Sequence, residues 1–181
     1  GAPAGERGGA QLMIDEGVLD DPKPAGIFGL HVLPFAAGDI HYRPGGIMAR
    51  ADAFRIVVRG RQTHGAQPWN GIDPIVVASQ IVLGLQTIVS RQVDITAQPA
   101  IITVGQFESG VRNNIIPDTA RLVGTIRTFE EGTRKDVHDR MTPTAQRIAE
   151  SAGARATISF GRHTPVTAND PALTRHVVPT L

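Results

Sequence analysis

The sequence predicts an α+β domain in which a four-stranded antiparallel sheet carries two helices on one face. Four segments have the residue pattern of strands, and in residues 54–59 buried-type apolar positions alternate with mainly basic ones. Two longer segments repeat apolar residues at helical spacing, one after the first strand and one after the third. This order, β-α-β-β-α-β, is that of the ferredoxin-like split βαβ sandwich.

The residues ahead of this domain predict loops and short elements. Residues 9–17 predict a short helix ending at Gly17, residues 27–33 a buried strand, and residues 40–43 an exposed strand. Because repeated glycine and proline residues follow, a domain boundary is expected near residue 48, which makes residues 1–48 a separate segment.

The first long helix is expected to begin at Asp73-Pro74, with the aspartate as N-cap and the proline in the first helical position. Residues 100–107 and 120–127 predict the second and third strands. The predicted buried face of the helix consists of Ile75, Ala78, Ile81, Val82, Leu85 and Val89.

The second long helix is predicted from the capping-box spacing of Thr128 and Glu131, and it should extend to about Ala152. Pro143 lies inside this segment and predicts a kink or a break. Residues 154–160 predict the fourth strand. The domain is therefore expected to cover residues 49–163, with residues 164–181 beyond it.

Composition excludes several classes of function. Apolar residues make up 41% of the chain, aromatic residues 4%, and the net charge is +1. Since neither a basic stripe with interleaved aromatics nor an apolar run of roughly 20 residues is present, no nucleic-acid or membrane partner is expected. The absence of cysteine removes disulfides, thiol nucleophiles and thiolate zinc sites. It leaves the compartment open, with the cytoplasm preferred to the periplasm.

Four polar residues are candidates for chemistry. His31 ends an apolar run and is either a metal ligand or a core histidine bonded to backbone. His64 lies in a strand-to-helix loop, where it is either functional or simply exposed. Asn114 belongs to a polar loop that also fits turn chemistry, and Arg127 at a strand end either clamps a carboxylate or pairs with a neighbouring acid. The remaining histidines, His41, His138, His163 and His176, are predicted to lie on the surface.

A set of short motifs occurs in order along nearly the whole chain. It includes Gly8-Gly9-Ala10, Gly29-Leu30-His31, Asp52 with Phe54, His64-Gly65-Ala66 with Pro68, Asp73-Pro74-Ile75, Thr103-Val104-Gly105, Asn114-Ile115-Ile116-Pro117-Asp118 and Gly124-Thr125-Ile126-Arg127-Thr128-Phe129. No single motif is decisive, but the ordered set is specific. It resembles the hippurate hydrolase and N-acyl-amino-acid amidohydrolase branch of the aminoacylase/carboxypeptidase zinc peptidases.

The resemblance implies a metal-dependent amidohydrolase that cleaves N-acyl amino acids or similar peptide-like substrates. Residues 49–163 would be its dimerisation (lid) domain, and residues 1–48 and 164–181 would be parts of the catalytic domain. His31 resembles a ligand of a two-metal site that holds zinc, manganese, cobalt or nickel. His64 is similar to the lid histidine that acts on a partner subunit's substrate, whereas Asn114 and Arg127 resemble substrate-binding residues.

Parts of the family pattern are missing from this sequence. The adjacent glutamate pair that contains the general base, the upstream histidine/aspartate ligand segment and the last histidine ligand all lack a counterpart. The chain alone is therefore expected to be inactive, as a fragment centred on the lid. The alternative is a non-enzymatic dimerisation or small-ligand-binding module of the same fold, because this architecture hosts many functions.

Overall fold

The computed structural model describes residues 8–180, except for the side chains of residues 162 and 163. Residues 49–166 form one compact unit, and the residues before Ala49 together with those from Thr167 onward form a second. The helices and strands, in chain order, are α1 (Gly9–Asp15), β1 (Gly45–Met48), β2 (Arg50–Arg59), β3 (Thr63–His64), α2 (Pro74–Arg91), β4 (Ala100–Ser109), β5 (Ile115–Ile116), β6 (Thr119–Thr128), α3 (Glu131–Ser151), β7 (Arg155–Thr164), β8 (Thr167–Asn169) and α4 (Pro171–Val177), with short 3-10 turns at Pro68–Asn70 and Val178–Thr180.

A four-stranded antiparallel sheet in the order β4-β6-β2-β7 forms the larger unit. Helix α2 packs against β4 and β6, helix α3 packs against β6 and β7, and the two helices contact each other. Alternate residues of β2, such as Phe54, Ile56 and Val58, are buried under the helices, while the residues between them lie on the open face. The predicted α+β fold with the ferredoxin-like order of strands and helices is confirmed.

One close approach in the core requires a glycine. Phe54 on β2 pairs directly with Gly124 on β6. A Cβ atom at Gly124 would lie 2.4 Å from the Cζ atom of Phe54 and 2.1 Å from the carbonyl oxygen of Thr103. The missing side chain therefore makes room for the aromatic ring, which fills the space above the strand.

Helix α2 begins as the sequence predicts, but its buried face is rotated. Asp73 caps it by accepting the backbone N–H groups of Ile75 at 2.8 Å and Val76 at 3.3 Å. Ile75 itself is exposed, so its assignment to the buried face is wrong. Packing on the sheet selects a slightly different helical stripe, which consists of Pro74, Val77, Ala78, Ile81, Leu85 and Ile88.

The composition of α2 is also apolar enough for a helix that crosses a membrane, and its 18 residues are long enough. A core helix of a globular domain meets the same two conditions. Because one face of α2 packs into the hydrophobic core beneath the sheet, its apolar character has a sufficient explanation within the fold.

Helix α3 begins differently from its prediction. Thr128 is the last residue of β6 and is buried there, and the N-cap of α3 is Glu130, whose side chain makes no capping bond. The expected capping box is therefore wrong, because the threonine is used by the sheet. The helix continues without a break through Pro143.

The smaller unit contains little regular structure. Its two-stranded sheet pairs β1 with β8, and the side-chain amide of Asn169 donates to the carbonyl oxygen of Arg43 at 2.8 Å. The predicted strands at 27–33 and 40–43 are wrong. No described strand pairs with either segment, and an unpaired extended segment lacks the hydrogen bonds that define a strand. Leu30, in the first of them, is 90% exposed.

Candidate functional site

A short backbone pairing brings two of the predicted site residues together. The two-residue strands β3 and β5 are antiparallel, and His64 pairs with Ile115, the residue after Asn114. The N–H of Gly65 donates to the carbonyl oxygen of Asn114 at 2.8 Å. A Cβ atom at position 65 would lie 3.1 Å from that oxygen, so glycine permits this approach.

The hydrogen bonds of His64 determine which of its ring nitrogens can donate. Its Nδ1 atom accepts the backbone N–H of Ala66 at 3.1 Å, and the side chain is exposed. In a neutral imidazole whose Nδ1 atom accepts, the proton is on Nε2. His64 therefore presents an Nε2–H donor to the exterior, next to the carboxamide-bearing residue Asn114.

An open groove of about 680 Å³ lies beside these loops. Its lining combines apolar and polar groups and includes Gly65, Pro68, Ser109, Arg112 and Ile116. Apolar walls with a few polar groups are typical of sites for small molecules. The His64 and Asn114 loops can therefore contact a small ligand that has both apolar and polar parts.

Arg127 lies far from this pair. It is exposed on β6, where it pairs with Ala51 on β2 and Ile101 on β4. The other end of β6 is Thr119, which follows directly after the loop that contains Asn114. Eight residue steps along a strand span about 26 Å. The structure thus groups His64 with Asn114 and places Arg127 at the opposite end of the same sheet.

His31 lies in the smaller unit, in an extended segment without regular structure. Its side chain is exposed, and its Nδ1 atom lies 2.8 Å from the carbonyl oxygen of Val32, the distance of a hydrogen bond that Nδ1–H donates. Among the described side chains, those of residues 8–161 and 164–180, no group of three or more histidine, cysteine, aspartate or glutamate residues could hold a metal ion. The described residues therefore do not form a complete metal site.

A buried ionic network, which sequence reasoning missed, lies at the Arg127 end of the larger unit. Asp52 is only 2% exposed, and its Oδ2 atom accepts a hydrogen bond from Nε of Arg134. The same oxygen lies 3.0 Å from Nε2 of His138. Glu131 bonds to Arg134 at 2.7 Å and also to Arg50. These contacts join the start of β2 to the first turns of α3.

His138 is therefore not the surface residue that the sequence suggested. Its side chain is 14% exposed, and its ring stacks on Phe160 with the ring centroids 3.8 Å apart. Burial lowers the pKa of His138, and the charge of Arg134 lowers it further, while the carboxylate of Asp52 acts in the opposite direction. The side chain of His163 lies outside the described part of the chain.

Comparison with known proteins identifies the family. The peptidase dimerisation domain family matches residues 51–152. Over 95% of its length, the chain is 39% identical to an N-acetyl-L-cysteine deacetylase of Bacillus subtilis, and over 90% it is 35% identical to a hippurate hydrolase of Campylobacter jejuni. These matches span 41% and 43% of the two relatives, so the chain covers less than half the length of either.

A solved structure gives the same result. A Bacillus subtilis protein described as a dinuclear metal binding peptidase from the M20 family superposes with a TM-score of 0.69 and 31% identity, over 94% of this chain and 43% of that one. The resemblance to hippurate hydrolases and N-acyl-amino-acid amidohydrolases is confirmed. The chain belongs to the peptidase dimerisation domain family of the M20 peptidases.

Proposed function

We propose that the parent protein of this chain is a metal-dependent amidohydrolase that cleaves the amide bond of N-acyl amino acids or similar small substrates. Residues 49–163 serve as its lid, and residues 1–48 and 164–181 belong to its catalytic domain. The observation that carries the proposal is the Nε2–H donor of His64, which is held beside Asn114 by the β3–β5 pairing. The names of the relatives support a hydrolase rather than a non-enzymatic binding module.

His64 stabilises the oxygen that becomes negatively charged when the amide carbonyl is attacked. A neutral imidazole N–H can donate to this oxyanion without first taking up a proton. Asn114, whose backbone carbonyl accepts the N–H of Gly65 in the His64 loop, supplies a second neutral donor. Both groups are exposed on short loops that the sheet supports, an arrangement that lets them reach a substrate held by another subunit.

The separation of Arg127 from His64 supports a model in which the two residues of one lid act on substrates in different subunits. About 26 Å along β6 is too far for one small substrate to contact both ends of the same lid. Arg127 pairs with Ala51, close to the point where the chain passes into the lid after Met48. Arg127 therefore binds the substrate carboxylate in its own subunit, and His64 with Asn114 acts on the substrate of the partner.

This arrangement requires a homodimer, and one surface of the lid suits it. Helix α2 has no charged residue before Arg91, although Leu83 is 70% exposed and Val76 is also exposed. The neighbouring edge strand β4 has none from Ala100 to Phe107. The opposite edge strand, β7, begins with Arg155, and charged residues discourage edge-to-edge pairing. The dimer contact accordingly involves α2 and β4.

The parent protein binds two divalent metal ions, for which zinc, manganese, cobalt and nickel are the candidates. His31 provides one ligand, and the exposure of its ring in this chain is consistent with a ligand whose partners are elsewhere. The description of the solved relative as a dinuclear metal binding peptidase supports this assignment. Mixed nitrogen and oxygen ligands do not distinguish these metals by themselves.

Substitution of His64 in the full-length enzyme tests the proposal. His64→Ala should lower kcat for an N-acyl amino acid by about 10² to 10³, because one oxyanion donor is lost. The mass of the dimer should stay the same. His176→Ala, which changes an exposed histidine on α4, is the matched control and should retain activity. Unchanged hydrolysis in the His64 variant would show that the assigned role is wrong.

A further inference from the structure

The face of the sheet that the helices leave open carries a concentration of arginine that the linear sequence hides. Strand residues whose side chains lie on this face alternate with buried ones, so basic residues two or four positions apart project in the same direction. Arg55, Arg59, Arg121 and Arg155 are all exposed on this face, and we call these four residues the arginine patch.

Strand pairing makes the patch compact. Arg59 on β2 lies directly opposite Arg155 on β7. Val57 pairs with Arg121 on its other side and separates Arg55 from Arg59 along β2. Directly paired residues have Cα atoms about 5 Å apart, so Arg55, Arg59 and Arg121 are neighbours of Val57, and Arg155 lies diagonal to it.

The patch has an excess of positive charge among the described residues. None of its four guanidinium groups makes a hydrogen bond or an ion pair with another described residue. Glu108, which pairs with Arg121 across β4 and β6, is the one acidic strand residue whose described side chain lies on this face. Like charges directly opposite each other destabilise a sheet. The Arg59–Arg155 pair therefore lowers the stability of the sheet when no anion is bound to the two side chains.

The patch lies at the same end of the sheet as the proposed catalytic donors. Arg59 pairs with Thr119, and the next residue, Gly60, donates its N–H to the carbonyl oxygen of Asp118 at 2.8 Å. His64 follows five residues after Arg59, and Asn114 precedes Thr119 by the same number. An anion attracted to the patch is therefore brought near His64 and Asn114.

We propose that the arginine patch recruits small carboxylate anions, and that in the parent enzyme it directs carboxylate-bearing substrates to the His64–Asn114 end of the lid. The second part rests on the proposed function, in which the substrate keeps a free carboxylate. The planar guanidinium group of arginine can donate two parallel hydrogen bonds to one carboxylate. A cluster of one sign of charge also raises the local concentration of ions of the opposite charge. None of the four arginines lines the groove beside the His64 loop, so the patch is expected to bind anions weakly and to guide them rather than to hold them.

A binding experiment on this chain tests the first part without any catalysis. The probes are N-benzoylglycinate, which is an anion, and its uncharged amide, each titrated at low salt while backbone amide NMR shifts are followed. The anion should shift the amides of the arginine patch and of Val57, and the amide should not. Arg59→Gln/Arg155→Gln should weaken this binding by about tenfold. This is the lower end of the range by which a cluster of one sign of charge raises the local concentration of the opposite ion.

A matched control distinguishes the effect of the arginine patch from the effect of the chain's net charge. Arg91→Gln/Arg147→Gln removes the same two charges from exposed positions on α2 and α3, and it should bind the anion like the parent. Equal weakening in both double variants would overturn the proposal, as would equal shifts with the amide. Shifts that appear with poly-glutamate but not with N-benzoylglycinate would also overturn it, in favour of an acidic macromolecular partner.

Kinetics of the full-length enzyme test the second part. At about 10 mM ionic strength, Arg59→Gln/Arg155→Gln should lower kcat/KM for N-benzoylglycinate by about tenfold and leave kcat unchanged. The difference should vanish near 1 M salt, where the screening length is about 3 Å. An unchanged salt dependence would overturn the proposal. Failure of the proposed function is distinguishable, because the enzyme would then not hydrolyse N-benzoylglycinate, while the NMR titration would still test anion binding by the patch.

Discussion

Gly65 and Asn114 are joined by a backbone hydrogen bond of 2.8 Å, and this contact holds the His64 loop against the Asn114 loop. It makes neighbours of two residues that are distant in sequence. Because the Asn114 carbonyl lies where a Cβ at position 65 would make a tight contact, the geometry of the proposed catalytic pair, His64 and Asn114, depends on a glycine at position 65.

Gly65→Ala should therefore move His64 by a few tenths of an ångström. In the full-length enzyme we expect kcat to fall by about tenfold, since misplacement of a catalytic group by 1 Å can cost 10²-fold. Thermal stability should change little. Gly132→Ala is the control, because a Cβ there meets nothing within 4 Å. If both variants kept full activity, the close approach would have no catalytic importance.

Arg134→Ala should destabilise the larger unit by about 3 kcal/mol, as expected when a buried carboxylate loses its charged partner. Among the described side chains, the buried Asp52 would then keep the nearby ring of His138 as its one polar contact. Urea denaturation of this chain measures the effect. Arg140→Ala removes an exposed partner of Asp136 on the same helix and should leave the transition nearly unchanged. Equal midpoints for the two variants would contradict the importance of the buried network.

The stability of the chain should decrease as the pH falls below about 6.5. The pKa of His138 is lower in the folded state than its ordinary value of 6.5, so between these two values the unfolded chain binds more protons. The contribution of His138 to the free energy of unfolding is complete above pH 6.5 and decreases as the pH falls toward the folded-state pKa. Urea midpoints at pH 7.5 and 5.5 should differ less for His138→Gln than for the parent. An identical difference would assign the pH dependence to other groups.

Zinc should bind this chain weakly. His31 has no second and third ligand among the described residues, and a structural or catalytic zinc site needs at least three protein ligands. Calorimetric titration should give similar weak heats for the chain and for His31→Ala. Tight, stoichiometric binding that the substitution abolishes would mean that a complete site exists in this chain, which should then be assayed as an enzyme.

Local patterns predicted the larger unit well because its secondary structure is specified by short-range signals. Alternation in β2 and the Asp73-Pro74 start of α2 both correspond to elements of the fold. The Thr128 capping box failed because a strand and a helix competed for the same residue. The apolar run at 27–33 failed because strand formation needs a partner strand, which a local pattern does not contain.

The buried network and the arginine patch show what a linear pattern hides. Asp52 has the same period-2 phase as Phe54 and Ile56, so an acidic residue in the buried phase was a signal that could have been used. The arginine patch requires the strand register, which pairs Arg59 with Arg155 across almost a hundred residues. Likewise, the separation of Arg127 from His64 follows only from the direction of β6.

Mixed dimers test the central claim, that Arg127 acts in its own subunit and His64 in the partner. Full-length His64→Ala and Arg127→Ala, each nearly inactive alone, are dissociated, mixed in equal amounts and reassociated. Half of the dimers should then contain one intact site, which restores about a quarter of the parent activity for a two-fold symmetric enzyme. A mixture of His64→Ala with Asn114→Ala should stay inactive, because both substitutions affect the residues supplied to the partner. No recovery in the first mixture, once mixed dimers are detected by mass, would contradict the account.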